Sequence, residues 1–316
     1  MLPPNIAPDA IGFGDRFRVM FQRTLRIPDD GREYPLPPGL GRFPVRRVAD
    51  FADRVPAAWR ERGGVFIPMY QREALWLSFE AADWKPNAVK IGVGMVNAVS
   101  GETWDEALHA DPQDYLVCPD QPWLDGINAG DGFIRQFVAM PLGSGYTVEG
   151  QVTGEEAFGG IQIVVFEPKP GLFPDAPPPR PPVEDMLFVS APAVCASMGL
   201  SAGGRMRQQI YPDPHGVETW DPEDRSSLNV HIVNSEQYAE ITGEAPPPSP
   251  ANAEAYTYYG FPWYDLYDED LGDLAPSATL AGVKSIHDLD AEKDVKDPDE
   301  PPSLEIPAEQ VWKLPL

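Results

Sequence analysis

The sequence predicts a mainly β, or α+β, protein whose core is an antiparallel β-sandwich or barrel-like sheet with few short helices. The first observation is that 38 prolines and 28 glycines interrupt almost every candidate helix. The second is that the segments between these breaks alternate apolar and polar residues with period two more often than with the helical period. The third is that glycine-rich turns such as Gly159-Gly160 join these short segments.

Residues 16–27 illustrate the strand pattern. Phe17, Val19 and Phe21 share one face of this segment, and a turn-forming sequence follows at residues 28–31. Further strands are expected at residues 65–70, 74–79, 88–98, 114–118, 134–141, 147–153, 161–166, 186–194 and 228–233. Short helical segments are expected within residues 48–62, 103–109 and 235–242.

Composition divides the chain into four parts. Residues 1–170 are expected to form a β-rich body, and residues 171–185 a proline-rich connector of extended, polyproline type. Residues 186–275 form a second β-containing segment that either packs on the first or makes a small domain. Residues 276–316 form an acidic tail that is expected to be flexible, because residues 286–300 carry seven acids, two lysines and few apolar residues.

The charge balance restricts the partners. Twenty-four lysines and arginines stand against 49 aspartates and glutamates, a formal net charge of −25. Nucleic-acid binding requires a basic surface that neutralises phosphates, so this class of function is not expected. The acidity instead favours solubility, cations and basic protein surfaces.

The N-terminal sequence and the two cysteines favour a cytoplasmic protein. Residues 1–9 lack the basic and apolar segments of a signal peptide. Cys118 and Cys195 are the two cysteines and are expected to be buried thiols rather than a disulfide framework. Residues 186–204 carry no charge, but their proline, serines and glycines favour a strand-turn-strand over a membrane span.

One short sequence resembles a nucleophile motif. Residues 199–203 read GLSAG and match GxSxG, the turn that exposes a catalytic serine between a strand and a helix. Asp265 and His287 would complete the order serine, acid, histidine. The preceding chain lacks βαβ units, and Gly203-Gly204 are poor helix formers, so small residues at a tight turn are the favoured interpretation. Ser201 remains a candidate nucleophile.

Metal sites are not encoded by local spacing. No two of the four histidines lie three or four residues apart, and no cysteine pair has zinc-site spacing. A metal site assembled in space from His215, His231 and a nearby acid such as Asp213 or Glu218 remains an alternative. The favoured interpretation is that these histidines lie in the core or in turns with their hydrogen bonds satisfied by the protein.

A second possible metal site lies in a glycine-rich loop. The oxygen ligands of Asp125, Asn128 and Asp131 are spaced by three and suit calcium, although the spacing is not that of an EF-hand. Turn formation is the favoured interpretation. No cofactor is predicted, because Gly92 and Gly94 lack the third glycine of a dinucleotide fingerprint and the chain has no Walker sequence.

The most unusual feature is an aromatic stretch at residues 256–267, in which seven of twelve residues are aromatic and acids follow directly. Such side chains anchor interfaces and stack on sugars, because each buries a large area while ordering two torsions. An arm that packs its rings on the β core is favoured over a partner or ligand surface. The candidate partner-binding residues are Tyr256, Tyr258, Tyr259, Trp263, Tyr264 and Tyr267. A shorter aromatic sequence surrounds Trp123.

Three sequences carry a resemblance to known proteins. Residues 120–132 (DQPWLDGINAGDG), 135–143 (RQFVAMPLG) and 206–211 (MRQQIY) resemble a family of uncharacterised bacterial and fungal proteins. The resemblance extends over most of residues 10–270. It implies no activity, cofactor or site residue for this chain.

The leading hypothesis is a cytosolic binding or assembly protein without catalysis of its own. It would present a β scaffold and an aromatic, acidic surface to a protein partner or to a second copy. One alternative is a hydrolase with a dispersed site, using Ser201 or a metal near His215 and His231. Another alternative is a carbohydrate-binding protein that uses exposed tryptophan and tyrosine.

Overall fold

The computed structural model describes residues 4–130, 132–176, 197–265 and 271–313. The predicted mainly β class is confirmed, because a large antiparallel sheet dominates these residues and the helices are few and short. The strands are β1 (Asn5–Ile6), β2 (Ile11–Phe13), β3 (Phe17–Thr24), β4 (Glu33–Tyr34), β5 (Arg46–Arg47), β6 (Val65–Met69), β7 (Ala74–Ala81), β8 (Asn87–Val93), β9 (Val96–Asn97), β10 (Leu116–Cys118), β11 (Trp123–Leu124), β12 (Gly126–Gly130), β13 (Phe133–Pro141), β14 (Ile161–Pro168), β15 (Ser197–Arg207), β16 (Trp220–Asn234), β17 (Trp263–Asp265) and β18 (Val311–Lys313). The α-helices are α1 (Ala57–Arg62), α2 (Val148–Thr153), α3 (Ser235–Thr242), α4 (Ala253–Tyr258), α5 (Ala278–Ala281) and α6 (Ile286–Lys293).

The main sheet joins strands from both sides of the proline-rich connector. Its central path is β1-β2-β3-β7-β13-β15-β16-β14-β8-β10. Strands β15 and β16 follow the connector in sequence but lie between β13 and β14, which precede it. Most pairs are antiparallel, while β4 pairs with β15 and β6 with β16 in parallel. Both sides of the connector therefore contribute to one sheet and one hydrophobic core.

Strand β7 shows how the sequence pattern sets the two faces of the sheet. Leu75, Leu77 and Phe79 are buried in the core, whereas Trp76 and Ser78 alternate with them on the opposite face and are half-buried. This alternation follows from the pleat of an extended strand. The inner face of the sheet thus builds the core, and its outer face holds Trp76.

The two ends of the sheet come together. Arg16, directly before β3, donates to the backbone oxygen of Lys85 at 2.5 Å and to Asn87 Oδ1 at 3.4 Å, and it forms an ion pair with Glu167. Asn87 begins β8 and Glu167 lies in β14, near the opposite end of the strand order. Buried residues from β3, β7, β8 and β14 belong to one cluster. These contacts give the sheet a barrel-like closure.

One predicted strand is a helix. The sequence pattern predicts a strand at residues 147–153, but Val148–Thr153 form α2. The Thr147 hydroxyl accepts a hydrogen bond from Gly150 N at 3.1 Å, and Gly154 ends the helix in the left-handed region. The side-chain cap at one end and the glycine at the other therefore outweigh the period-two pattern.

A predicted helical segment is also wrong. Residues 103–109 contain a bridge and bends in place of helix. The Asp105 carboxylate accepts from Ala107 N at 2.9 Å, so the aspartate stabilises a local turn. The predicted strand at 186–194 and the thiol of Cys195 lie outside the described residues, while the thiol of Cys118 is buried as expected.

The acidic C-terminal segment packs on the body, which differs from the expected flexible tail. Helix α6 begins with a capping box between Ser285 and Asp288, and Ile286 is buried against the sheet. Arg72 binds both Asp290 oxygens at 2.7 and 2.8 Å and lies 3.1 Å from Asp297 Oδ2. Asp290 and Asp297 of this segment thus serve as partners for Arg72 in the turn between β6 and β7. No helix of the described residues has the length and apolar character needed to cross a membrane.

We expect Arg72→Met to loosen α6, because it leaves the buried Asp290 and Asp297 without their shared guanidinium. Removing one partner of such a buried pair costs about 3–5 kcal/mol. Hydrogen exchange at residues 286–293 should become markedly faster. The matched control is Lys284→Met, which removes an exposed ion pair with Glu292 and should change exchange little. Equal exchange in the two variants would contradict this role of Arg72.

Candidate functional site

Ser201 does not lie at a turn. It is in the middle of strand β15 and pairs with Val138 of β13. Its hydroxyl is buried and donates to the Tyr146 backbone oxygen at 2.6 Å. The strand continues past Gly203 and Gly204, and a Cβ on Gly204 would lie 2.2 Å from the Pro28 backbone oxygen. Within the GxSxG sequence, a Cβ on Gly203 would likewise lie 2.6 Å from Val138 Cγ2. These glycines therefore allow neighbouring segments to approach, and the geometry is not that of a nucleophile elbow.

The residues that would complete a catalytic triad are engaged elsewhere. His287 Nδ1 lies 2.5 Å from Glu300 Oε1 on the surface. Asp265 forms an ion pair with Lys313 at 3.1 Å. The prediction of a triad with Ser201 thus finds no support in the described residues.

His215 lies five residues before strand β16, and His231 lies near the far end of that strand. The His215 ring contacts Trp220, the first residue of the strand, at 5.9 Å. His231 is eleven residues further along the strand, a distance on the order of 30 Å. The His231 ring stacks on Trp59 at 4.6 Å, its Nε2 lies 3.0 Å from the Gly63 oxygen, and burial lowers its pKa to about 4. Most of an extended strand separates the two rings, so the structure does not bring them together around one metal ion.

The predicted calcium loop is held by its own hydrogen bonds. Asn128 Oδ1 accepts from Gly130 N at 3.0 Å, and its amide donates to the Val99 oxygen at 3.2 Å. Asp125 is bound by Gln208 instead. Asp131 lies outside the described residues. Asp125 and Asn128 therefore serve different local contacts and do not converge on a cation.

A group of possible metal ligands elsewhere already surrounds a cation. Asp105, His109 and Asp114 place their ligand atoms within 4.8 Å of one another. The buried Lys90 ammonium lies 2.8 Å from Asp105 and 2.7 Å from Asp114, and it donates to the Ala107 oxygen at 2.5 Å. The lysine thus supplies the positive charge that these carboxylates require.

The aromatic stretch divides between core and surface. Trp263 is fully buried, and its indole N–H donates to Thr257 Oγ1 at 3.2 Å. Tyr256 is half-buried and donates to the Pro262 oxygen at 3.1 Å. In contrast, Tyr258 is 84% exposed and Tyr259 is 72% exposed. Tyr267 lies outside the described residues.

Tyr264 enters a pocket on the outer face of the main sheet. We call this the aromatic pocket; its volume is about 250 Å³, and it is lined by Leu36, Pro37, Pro38, Gly39, Trp76, Trp123, Asp125 and Tyr264. Trp76 projects from β7, and Trp123 of β11 pairs beside it, opposite Ser78. Tyr264 is fixed by two backbone hydrogen bonds with Leu36, at 2.8 and 3.0 Å. The pocket thus gathers residues from four distant parts of the chain.

Asp125 is the charged residue among those lining this pocket. Its side chain is buried, and burial raises its pKa to about 7, although the hydrogen bond from Gln208 and the nearby Trp123 side chain oppose this rise. Gln208 Nε2 donates to Asp125 Oδ2 at 3.0 Å, and Gln208 Oε1 accepts from Asp125 N at 2.9 Å. The paired contact fixes the carboxyl in one orientation. With a pKa of about 7, both the protonated and the charged form of this carboxyl are populated near neutral pH.

The pocket also contains hydrogen-bonding capacity that the protein leaves unused. Trp76 Nε1 is buried and has no acceptor among the described residues. Trp123 Nε1 likewise makes no hydrogen bond of good geometry, although it lies close enough to Asp125 to affect its pKa. An unsatisfied buried donor costs about 1–3 kcal/mol. Both tryptophans that carry these donors belong to the lining of the pocket.

A larger cleft of about 640 Å³ lies where the two ends of the sheet meet. Six of its nine charged residues pair with each other: Arg16 with Glu167, Arg18 with Glu80 at 3.6 Å, and Lys85 with Asp175 at 2.7 Å. The other three, Asp15, Asp224 and Arg225, are again of both signs. Because these charges neutralise one another, the cleft presents no single class of charge to a ligand. The aromatic pocket is therefore the stronger candidate.

The sequence indicates only part of this pocket. Tyr264 and the sequence around Trp123 stand out for separate reasons, and the pattern around Asp125 is that of a possible calcium loop. No feature of the sequence points to Leu36 or the adjacent prolines. A large aromatic residue on the polar face of an alternating strand was the available signal for Trp76.

Comparisons of the chain with protein-family models, with curated proteins and with solved structures found no match. The site is therefore interpreted from its own residues.

We expect Asp125→Asn to change the pH dependence of stability. The folded protein raises the pKa of Asp125 from 3.8 to about 7, so between these values it keeps a proton that the unfolded chain has lost. This contribution makes the free energy of unfolding fall as pH rises from about 4 to 7. Between pH 5 and pH 8, the free energy of unfolding should therefore fall by roughly 1–3 kcal/mol less in the asparagine variant than in the parent protein.

Urea unfolding at the two pH values measures this difference. The buried Glu73, whose pKa burial also raises to about 7, contributes a slope of the same sign, so the decline should shrink rather than vanish. Exposed Asp53→Asn is the control. An unchanged pH dependence in Asp125→Asn would show that the carboxyl does not titrate in this range.

Proposed function

We propose that this chain is a cytosolic protein-binding or assembly protein without chemistry of its own, and that it binds its partner through the rings at the end of α4. The observation that carries this proposal is the exposure of three neighbouring aromatic residues. Tyr258, Tyr259 and Phe261 are 84%, 72% and 51% exposed. Tyr259 contacts both of the other rings, at 5.5 and 6.4 Å. We call these three residues the α4 patch.

The patch is held in place by buried neighbours. Asn252 caps α4 by accepting a hydrogen bond from Ala255 N at 3.1 Å. Tyr256 packs against Phe261 at 5.0 Å and against the buried Trp263 at 6.2 Å. Because the backbone under the patch is anchored, the patch loses little conformational entropy when a partner binds. Exposed rings on such a support are typical of interface anchors.

Charge indicates the kind of partner. The chain carries a net charge of −25, and the exposed Glu254 lies in the same helix as the patch. A second copy of this chain would be repelled by like charge, whereas a basic protein surface would be attracted. The proposed partner therefore offers an apolar recess surrounded by lysine or arginine.

Photo-crosslinking at Tyr259 tests this proposal. A photoreactive phenylalanine analogue at position 259, introduced in the cells that naturally express the protein, should give one discrete adduct. Replacing Tyr258 and Phe261 by alanine should reduce its yield about tenfold, the effect of losing interface anchors. The control position is Leu172, which is 55% exposed and outside the patch.

The adducts also separate the alternatives. Equal or absent adducts from positions 259 and 172 would contradict the proposal. An adduct of twice the chain mass would assign the patch to self-association instead of a basic partner.

A further inference from the structure

We infer that the aromatic pocket binds a proline-rich peptide segment in the polyproline II conformation, with a basic residue beside its prolines. This site is separate from the α4 patch, and the inference does not depend on the proposed function. It follows from the lining of the pocket, from its unused donor and from its charge.

The lining favours proline rings over sugars. Apart from Asp125, the pocket is lined by apolar and aromatic residues, and both of its indole N–H groups are buried away from solvent. A sugar carries hydroxyl groups around its ring, and burying them without partners is unfavourable. A polyproline II segment has rigid apolar rings and is already extended, so it loses little entropy on docking against aromatic side chains.

The unused donor requires an acceptor. Trp76 Nε1 has no acceptor among the residues that the structure describes. A polyproline II segment makes no internal hydrogen bonds, so its backbone carbonyls are free to accept. Because Trp76 Nε1 is closed off from solvent in this structure, the indole ring must turn towards the pocket before a peptide carbonyl can accept from it. Neighbouring proline rings would then lie against Trp123 and Tyr264.

The charge of the pocket selects the flanking residue. Asp125 is the one residue of the lining that can carry charge, and no lysine or arginine lines the pocket. The overall charge of −25 has the same sign. A basic residue beside the prolines is therefore attracted to the site, whereas an acidic one is repelled. Because the Asp125 pKa is raised to about 7, a nearby cation would also shift this carboxyl towards its charged form.

The chain already binds a proline-rich segment of its own in a similar way. Pro246 and Pro247 are buried. The Pro247 oxygen accepts from the Tyr70 hydroxyl at 3.0 Å, and the Pro248 oxygen accepts from Arg23 at 2.5 Å. Side-chain donors thus satisfy proline carbonyls within this fold, which is the contact proposed for Trp76.

Titration with a defined peptide tests the inference. The probe is a synthetic nonapeptide of prolines with one central arginine, and its control has glycine in place of every proline. The readout is the indole N–H signals of the eight tryptophans in a proton–nitrogen correlation spectrum, with Trp76 and Trp123 assigned by single phenylalanine substitutions. The proline peptide should shift these two signals, and the glycine peptide should not.

Matched variants identify the contacts. Trp123→Ala should weaken binding about tenfold or more, as expected for an anchoring ring. Trp76→Phe keeps an aromatic ring but removes the N–H, and should weaken binding about three- to tenfold. Tyr258→Ala, in the α4 patch, should leave the affinity for the peptide unchanged. A failure of the α4 patch proposal can therefore be told apart from a failure of the pocket inference.

Several results would overturn the inference. Binding that leaves the Trp76 and Trp123 signals unmoved would show that the pocket is not the site, as would no binding at all. Equal affinity for the glycine peptide would remove the role of proline. Equal affinity for a peptide with alanine in place of arginine at pH 8 would remove the role of the basic residue. Shifts of the same two signals by a neutral disaccharide would assign the pocket to carbohydrate.

Discussion

The structure depends on the insertion of β15 and β16 between β13 and β14. Neither the segment before the connector nor the segment after it contains a complete set of sheet neighbours. Strand β13 has β7 on one side, and its other side is paired with β15 over eight residue pairs. Without that partner, the edge of β13 and the buried rings behind it would be exposed to solvent. Formation of the core therefore requires both parts of the chain.

The aromatic pocket follows from the same insertion. Asp125 belongs to the first part of the chain, but its orientation is fixed by Gln208, which lies directly after β15. Tyr264 reaches the pocket because its backbone pairs with Leu36. The strand pleat that places Leu75 and Leu77 in the core then leaves Trp76 on the outer face, where these long-range contacts enclose it. The binding chemistry proposed for the pocket thus rests on pairing between remote segments.

These contacts explain which features the sequence could predict. Strands such as β3, β7 and β14 and helix α3 were predicted within a few residues, because alternation, caps and turns are local signals. Helix α2 was missed because Thr147 and Gly154 act as caps that override a short alternating pattern. The separation of His215 from His231 depends on the full length of β16, whereas the sequence pattern predicts a strand only at residues 228–233. The meeting of Trp76, Trp123 and Tyr264 depends on strand order, which no local pattern encodes.

The most direct test is to cut the chain within the connector. A protease site placed between residues 180 and 181 would allow the purified protein to be cleaved after it has folded. The two fragments should stay together in size-exclusion chromatography at the mass of the intact chain, 34.8 kDa, and should unfold in one transition. Fragments that separate without denaturant, each with its own folded spectrum and its own transition, would contradict the shared sheet and the pocket built on it.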